Sequence, residues 1–238
     1  MNRPARIPFS TKHFTWLHSP KTGGTWLWGI LNGMAPPEWE ATKTVPAHVR
    51  LSEVSVALAQ AGLPDRKSLP VIATVRNPWD WYVSLYFFME QHYVNRTGAF
   101  VGNEGSWTAG GRVWSQRFSK GNHVEGFREA LPEIIEAIHH EGNHAVAPPQ
   151  GDFVLSNGTL GVRAVRFEDL RNETIAAIEE TGAEIPDAMR AQILQKEPSN
   201  TSGHAHYADC YDGHSRSIVK RAERPIIREM RYRFERRS

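Results

Sequence analysis

The chain is short of several things, and each shortage excludes something. It has one cysteine, Cys210, in 238 residues, so an intrachain disulfide framework is excluded. No apolar run reaches the roughly 18 residues that a membrane-spanning helix needs. The N-terminus shows no charged segment followed by an apolar stretch and a small-residue cleavage site, and the expectation is a cytoplasmic protein. Strong net charge is missing too: 28 Lys and Arg stand against 26 Asp and Glu, for +2. Internal repeats and low-complexity tracts are absent, which argues against solenoids and linker-rich chains.

The rest of the composition, 40% hydrophobic and 23% charged, is that of an ordinary globular protein with one good-sized core. A single domain over residues 1–238 is expected. Charge is distributed unevenly. From Arg216 to Arg237 there are nine Lys or Arg against three Glu, a local +6, so the remainder sums to −4. That basic end reads either as a solvated helical face with some salt pairing or as a surface for an anion.

Along the chain, residues 14–18 read as a strand and Thr25 to about Met34 as a helix. "VPAHVRLSEVSVALAQAGLP" reads as a turn and then a helix stopping near Gly62 and Pro64. "LPVIATV" is a continuous β-branched run, the mark of a strand covered on both faces. A helix opens near Pro78 with Trp81, Leu85 and Phe88 on one face. Residues 95–122 are rich in Gly, Ser and Asn, with Trp107 and Trp114 embedded, and read as a long excursion that is a candidate lid or acceptor-binding segment. A helix over Val124–Glu141 follows, then a strand pair in "DFVLSNGTLGVRAVRF" turning at Asn157-Gly158, a helix opening at "EDLRNET", and a helical C-terminal end. Strands alternating with helices predict an α/β fold, a central parallel β-sheet flanked by helices.

The stretch "HFTWLHSPKTGGTWLWGIL", residues 13–31, is a short apolar strand, a glycine loop and an apolar helix. Backbone N–H groups at a helix N-terminus favour an anion, Gly23 and Gly24 allow close approach, and Lys21 and Thr25 add a charge and a hydroxyl. Nucleotide triphosphatases instead place their lysine after the glycines, followed by a hydroxyl that holds magnesium. A second constellation is "VIATVRNPWDWYVSLY": a buried strand ends in Arg76, whose guanidinium can bind a phosphate through two parallel hydrogen bonds or pair with Asp80. Ser84, eight residues on, shares a helix face with Trp81, Leu85 and Phe88 and reads either as a ligand or as a small packing residue.

The order P-K-T-G-G-T after a strand resembles the 5′-phosphosulfate loop of sulfotransferases that use 3′-phosphoadenosine 5′-phosphosulfate (PAPS). Arg-x-Pro at a strand end, with its following serine, resembles their 3′-phosphate site. "PPQGDFVLSNGTLGVRAVRFEDL" is similar to a stretch of the bacterial and carbohydrate-type branch. The resemblance implies a P-loop-like nucleotide-binding fold. It implies a 5′-phosphate cradle of Lys21, Thr22, Gly23, Gly24 and Thr25, with Trp26 counted beside them, and 3′-phosphate contacts from Arg76 and Ser84. Lys21 would also neutralise the bridging oxygen as the sulfuryl group departs. "NTSGHAHYADCYD" sits where family members close a loop over the nucleotide, without the basic, glycine-containing pattern of the cytosolic small-molecule branch.

Sulfuryl transfer needs a base for the acceptor hydroxyl. His48 is the first candidate, because related sulfotransferases place a histidine before the helix that follows the loop helix; Glu38, Glu40 and Glu53 are alternatives. His18 matches the family's strand-end histidine and reads as structural. His204, His206, Cys210 and His214, with Asp209 and Asp212 among them, fit no closed zinc pattern, and no metal is expected. Trp26, Trp28, Trp79 and Trp81 read most simply as packing residues. The expectation is a PAPS-dependent sulfotransferase acting on a saccharide or other polar small molecule, with PAPS as co-substrate and no nucleic-acid partner. The rivals are a P-loop kinase or nucleotide triphosphatase, and a non-catalytic anion- or nucleic-acid-binding protein using the basic end.

Overall fold

The computed structural model describes residues 7–42, 48–63, 69–93, 123–139, 147–197 and 204–235. The candidate lid at 95–122, with Trp107 and Trp114, lies outside them. The chain divides into two compact units, one from residues 1–76 and 150–200, the other from 77–149 and 201–238.

The first unit is built on a sheet in the order β1-β2-β3-β6. Its strands are β1 (Phe9–Ser10), β2 (Thr15–Leu17), β3 (Val71–Val75) and β6 (Arg163–Arg166). β1 runs antiparallel to β2, whereas β2, β3 and β6 are parallel. The expected mixed α/β fold with a mostly parallel sheet flanked by helices is what the chain forms; the edge strand β1 has no counterpart in the sequence reading, being too short to show a pattern. On β3, Ala73 and Val75 point to one face and Ile72 and Thr74 to the other, and all four are buried. The continuous apolar run of β3 therefore serves two covered faces.

One face carries the core. Trp16, Ile72 and Val165 meet Trp26, Leu27, Ile30 and Leu31 of α1 (Gly24–Met34), Ile175 and Ile178 of the helix Leu170–Glu179, and Met189 and Ile193 of the helix Asp187–Gln195. Trp39 closes this core. It meets Phe14 edge-on at 5.5 Å, and its Nε1 donates to the Glu184 carbonyl at 3.1 Å. α2 (Val54–Gln60) follows a single 3₁₀ turn and stops before Gly62, whose φ of 68° ends it.

Residues 152–167 depart from the expected strand pair. Gly151–Val154 is one helical turn, and the hairpin is only β4 (Leu155–Ser156) with β5 (Thr159–Leu160). Its turn is at Asn157-Gly158, both with positive φ of 52° and 78°, the conformation that favours these two residues. The third apolar run, Arg163–Arg166, leaves the hairpin and joins the main sheet beside β3.

The second unit is helical. α3 (Pro78–Tyr93) is joined by the helices His123–His139, Gly213–Ala222 and Arg224–Met230. A single apolar face understates α3. Trp81 and Leu85 are buried and Phe88 half-buried, but Tyr82, Val83, Tyr86 and Met89 on the other sides are buried as well. Its polar centre is Glu223, buried, which accepts from the Tyr82 hydroxyl at 2.8 Å and lies 3.0 Å from His139 Nε2. Burial and the Glu223 carboxylate push the Tyr82 phenol well above its ordinary range. Among the described residues no helix is long and apolar enough to cross a membrane.

Because Trp39 combines area with one satisfied donor, Trp39→Ala should cost about 3–5 kcal/mol. Trp39→Phe, which leaves the Glu184 carbonyl without its partner, should cost about 1–3 kcal/mol. Urea denaturation of the two variants against the wild type measures both.

Candidate functional site

Parallel strands end on the same side of a sheet, and ligands of open α/β sheets sit at those carboxyl ends. His18, Arg76 and Phe167 are the first residues beyond, or within one of, the ends of β2, β3 and β6. The loop 19–23 rises from the same edge into α1.

α1 begins with its N-terminus open. Gly23 is the N-cap at φ 77°, no side chain caps the helix, and its first turn carries no acidic residue. Leu27 N–H donates to the Gly23 carbonyl at 3.1 Å, so the N–H groups of Gly24, Thr25 and Trp26 precede the first helical bond and aim out of the helix end. Both glycines are required by what surrounds them. A Cβ on Gly23 would stand 2.6 Å from Leu170 Cδ2, and one on Gly24 would stand 1.8 Å from His18 Cδ2.

Lys21 is half-buried with a left-handed backbone, φ 58°. Burial, with the neighbouring Arg76 charge second, lowers its pKa from 10.5 to about 8. Arg76 NH1 donates to the Lys21 carbonyl at 3.2 Å, and its guanidinium lies 4.2 Å from the centre of the Phe167 ring. Gln150 holds the Arg76 backbone from both sides: its Oε1 accepts from Arg76 N–H at 2.8 Å and its Nε2 donates to the Arg76 carbonyl at 3.1 Å.

The remaining loop residues divide by direction. Thr25 is exposed at the helix start. Thr22 is buried; its hydroxyl donates to the Ser19 carbonyl at 2.9 Å and lies 2.6 Å from the Thr74 hydroxyl on β3. It ties the loop to the sheet, so only its backbone N–H is on offer to a ligand. Trp26 turns its ring into the core and donates from Nε1 to the Lys196 carbonyl at 3.3 Å. Its ring is therefore packing, and the sequence expectation that counts it with the cradle is reduced to its N–H. Ser84 is buried on α3, in the second unit.

His48 comes to the end of β2. Its Nδ1 lies 2.7 Å from the His18 carbonyl oxygen and the two imidazole centres are 4.5 Å apart. A carbonyl only accepts, so Nδ1 carries a proton; in the neutral ring this leaves the lone pair on Nε2, the tautomer a base requires. His18 itself is buried, stacks on Trp16 at 5.6 Å, and has its pKa lowered to about 3 by burial and then by His48. It is neutral and structural. Of the carboxylate alternatives, Glu53 accepts from Arg50 N–H at 3.0 Å, Glu40 pairs with Lys12 at 3.7 Å, and Glu38 is exposed on the turn Pro37–Trp39.

In the second unit, His204 stacks on Phe87 at 5.4 Å, His206 Nδ1 accepts from Ala208 N–H at 3.3 Å, and Asp212 caps the helix Gly213–Ala222. No group of metal-ligating side chains gathers among the described residues. Gln150 and Phe167 are the two residues of this site to which sequence reasoning gives no role. The signal was present, since both stand in the quoted run 148–170, but nothing local says that they turn toward Arg76.

No protein-family model matches the chain, and no curated protein does. Among solved structures, the chain is similar to the mouse sulfotransferase SULT7A1 complexed with PAP. The TM-score is 0.48 and the sequence identity 13%, over 94% of this chain and 87% of that one. So loose a likeness transfers no residue role.

An anion bound beside Lys21 would keep it protonated beyond about pH 8, the midpoint of its proton loss in the free protein. Affinity for a phosphate ligand should therefore hold below pH 8 and fall above it, by up to about tenfold per pH unit until the bound lysine also titrates. Calorimetry across that range checks it, and Lys21→Arg should flatten the fall.

Proposed function

We propose that the chain is a sulfotransferase that moves a sulfuryl group from PAPS to an acceptor hydroxyl. The observation that supports this reading best is the hydrogen bond from the Arg76 guanidinium to the backbone carbonyl of Lys21, which ties a second cation to the loop before an uncapped helix. Two cations and a helix N-terminus of the same sign are arranged for a multiply charged anion.

In this reading the loop N–H groups and Lys21 receive the 5′-phosphate. Arg76 receives the 3′-phosphate; Ser84 is assigned to the same phosphate by the sequence resemblance alone. The acceptor oxygen attacks sulfur in line, the bond from sulfur to the 5′-phosphate oxygen breaks, and His48 Nε2 takes the hydroxyl proton. The products are a sulfate ester and adenosine 3′,5′-bisphosphate (PAP). Lys21 matches the charge that grows on the bridging oxygen, which is the larger part of what the protein has to supply in such transfers. A nucleotide triphosphatase would need a lysine after the glycines. That place holds Thr25 and then Trp26, whose ring is in the core. A saccharide or other polar acceptor rests on the sequence resemblance of residues 148–170.

Incubation with labelled PAPS and a panel of glycans, phenols and aliphatic alcohols, read by mass spectrometry for an added sulfuryl group, tests the reading. Lys21→Ala should lower turnover by about 10²-fold or more while weakening PAP binding less. His48→Gln should bind PAP as the wild type does and turn over about 10²- to 10⁴-fold more slowly. Near wild-type turnover in His48→Gln would move the base elsewhere.

A further inference from the structure

Phe167 supports two parts of the site with one ring. The Arg76 guanidinium lies over it at 4.2 Å, and the same ring stands against Gly23, where an added Cβ would come within 3.3 Å of its Cδ2 and Cε2. Arg76 in turn holds the carbonyl of Lys21, whose φ of 58° is uncommon for a residue with a Cβ and persists only when its surroundings hold it. Gln150, buried in the first unit, fixes the Arg76 backbone through its two hydrogen bonds. Arg76 is thus held at its backbone by Gln150 and its guanidinium is set over the Phe167 ring, while one of its nitrogens anchors the loop.

We infer that Phe167 and Gln150 are positioning residues of the phosphate loop, acting through Arg76 on the left-handed turn at Lys21. This rests on the reading of the loop as a phosphate cradle. It adds that the guanidinium assigned to the 3′-phosphate also sets the shape of the 5′-phosphate loop, so disturbing its support damages both subsites together. A planar guanidinium suits this double duty, because one face can stack while its edge donates; a lysine ammonium cannot do both.

The test uses the full chain and two ligands, PAP and inorganic pyrophosphate, the second having neither a base nor a 3′-phosphate. Phe167→Leu should weaken both by a similar factor, on the order of tenfold, the scale on which outer partners of a binding group act. Phe167→Tyr, which keeps the ring, should restore both. The Lys21 and Gly23 amide resonances of the ligand-free protein should shift in Phe167→Leu and stay near wild type in Phe167→Tyr. Gln150→Ala is the second variant, should Phe167→Leu fail to fold, with the same parallel loss expected. A loss confined to PAP makes Phe167 a nucleoside contact and overturns the inference; so does undiminished binding of both ligands. If the wild type binds neither ligand while the amides still respond to Phe167→Leu, the phosphate reading fails and the clamp stands. If the amides do not respond, the clamp is wrong.

Discussion

The hydrogen bond from Arg76 to the Lys21 carbonyl brings two cationic side chains to one half-buried loop. A neutral donor could hold the same turn without bringing a second positive charge to it. Burial and the Arg76 charge together lower the Lys21 pKa to about 8, which is a standing penalty on the charged form. The helix behind the loop adds positive partial charge with no acidic residue in its first turn to offset it. Positive charge reaches the loop from three sources, which is the basis for proposing a polyanion there.

The fold makes this concentration possible. Because β2, β3 and β6 are parallel, His18, Arg76 and Phe167 emerge at one edge although they lie far apart in sequence. His18 then works through two parts. Its carbonyl sets the His48 tautomer, and its ring lies so close to α1 that only glycine fits at position 24. One strand end therefore fixes both the orientation of the proposed base and the approach of the loop.

Much of this was legible in the sequence where the signal is local. The β-branched run of β3, the glycine pair with its preceding lysine, and the Asn157-Gly158 turn each carry their own chemistry within a few residues. What was not legible depends on contacts across the sheet. Nothing near Gln150 says that its amide grips the Arg76 backbone, and nothing near Phe167 says that its ring lies beneath a guanidinium. Apolar periodicity marks 163–166 as extended but does not name its partner strand, so it could not tell whether the segment stays in the hairpin or joins the main sheet. On α3, the polar-tipped aromatics Tyr82 and Tyr86 are buried too, which a pattern of one apolar face does not show.

The central claim, that the loop and Arg76 form a site for a 3′-phosphorylated nucleotide, is tested most directly by calorimetric titration of the full chain with PAP, AMP and ATP, each with and without magnesium. PAP should bind more tightly than AMP or ATP and should not need magnesium, and Arg76→Ala should lose most of the preference for PAP over AMP, a truncation of the kind that costs about 2–5 kcal/mol at a buried charged pair. Tighter binding of ATP that depends on magnesium, or equal binding of PAP and AMP by the wild type, would contradict it.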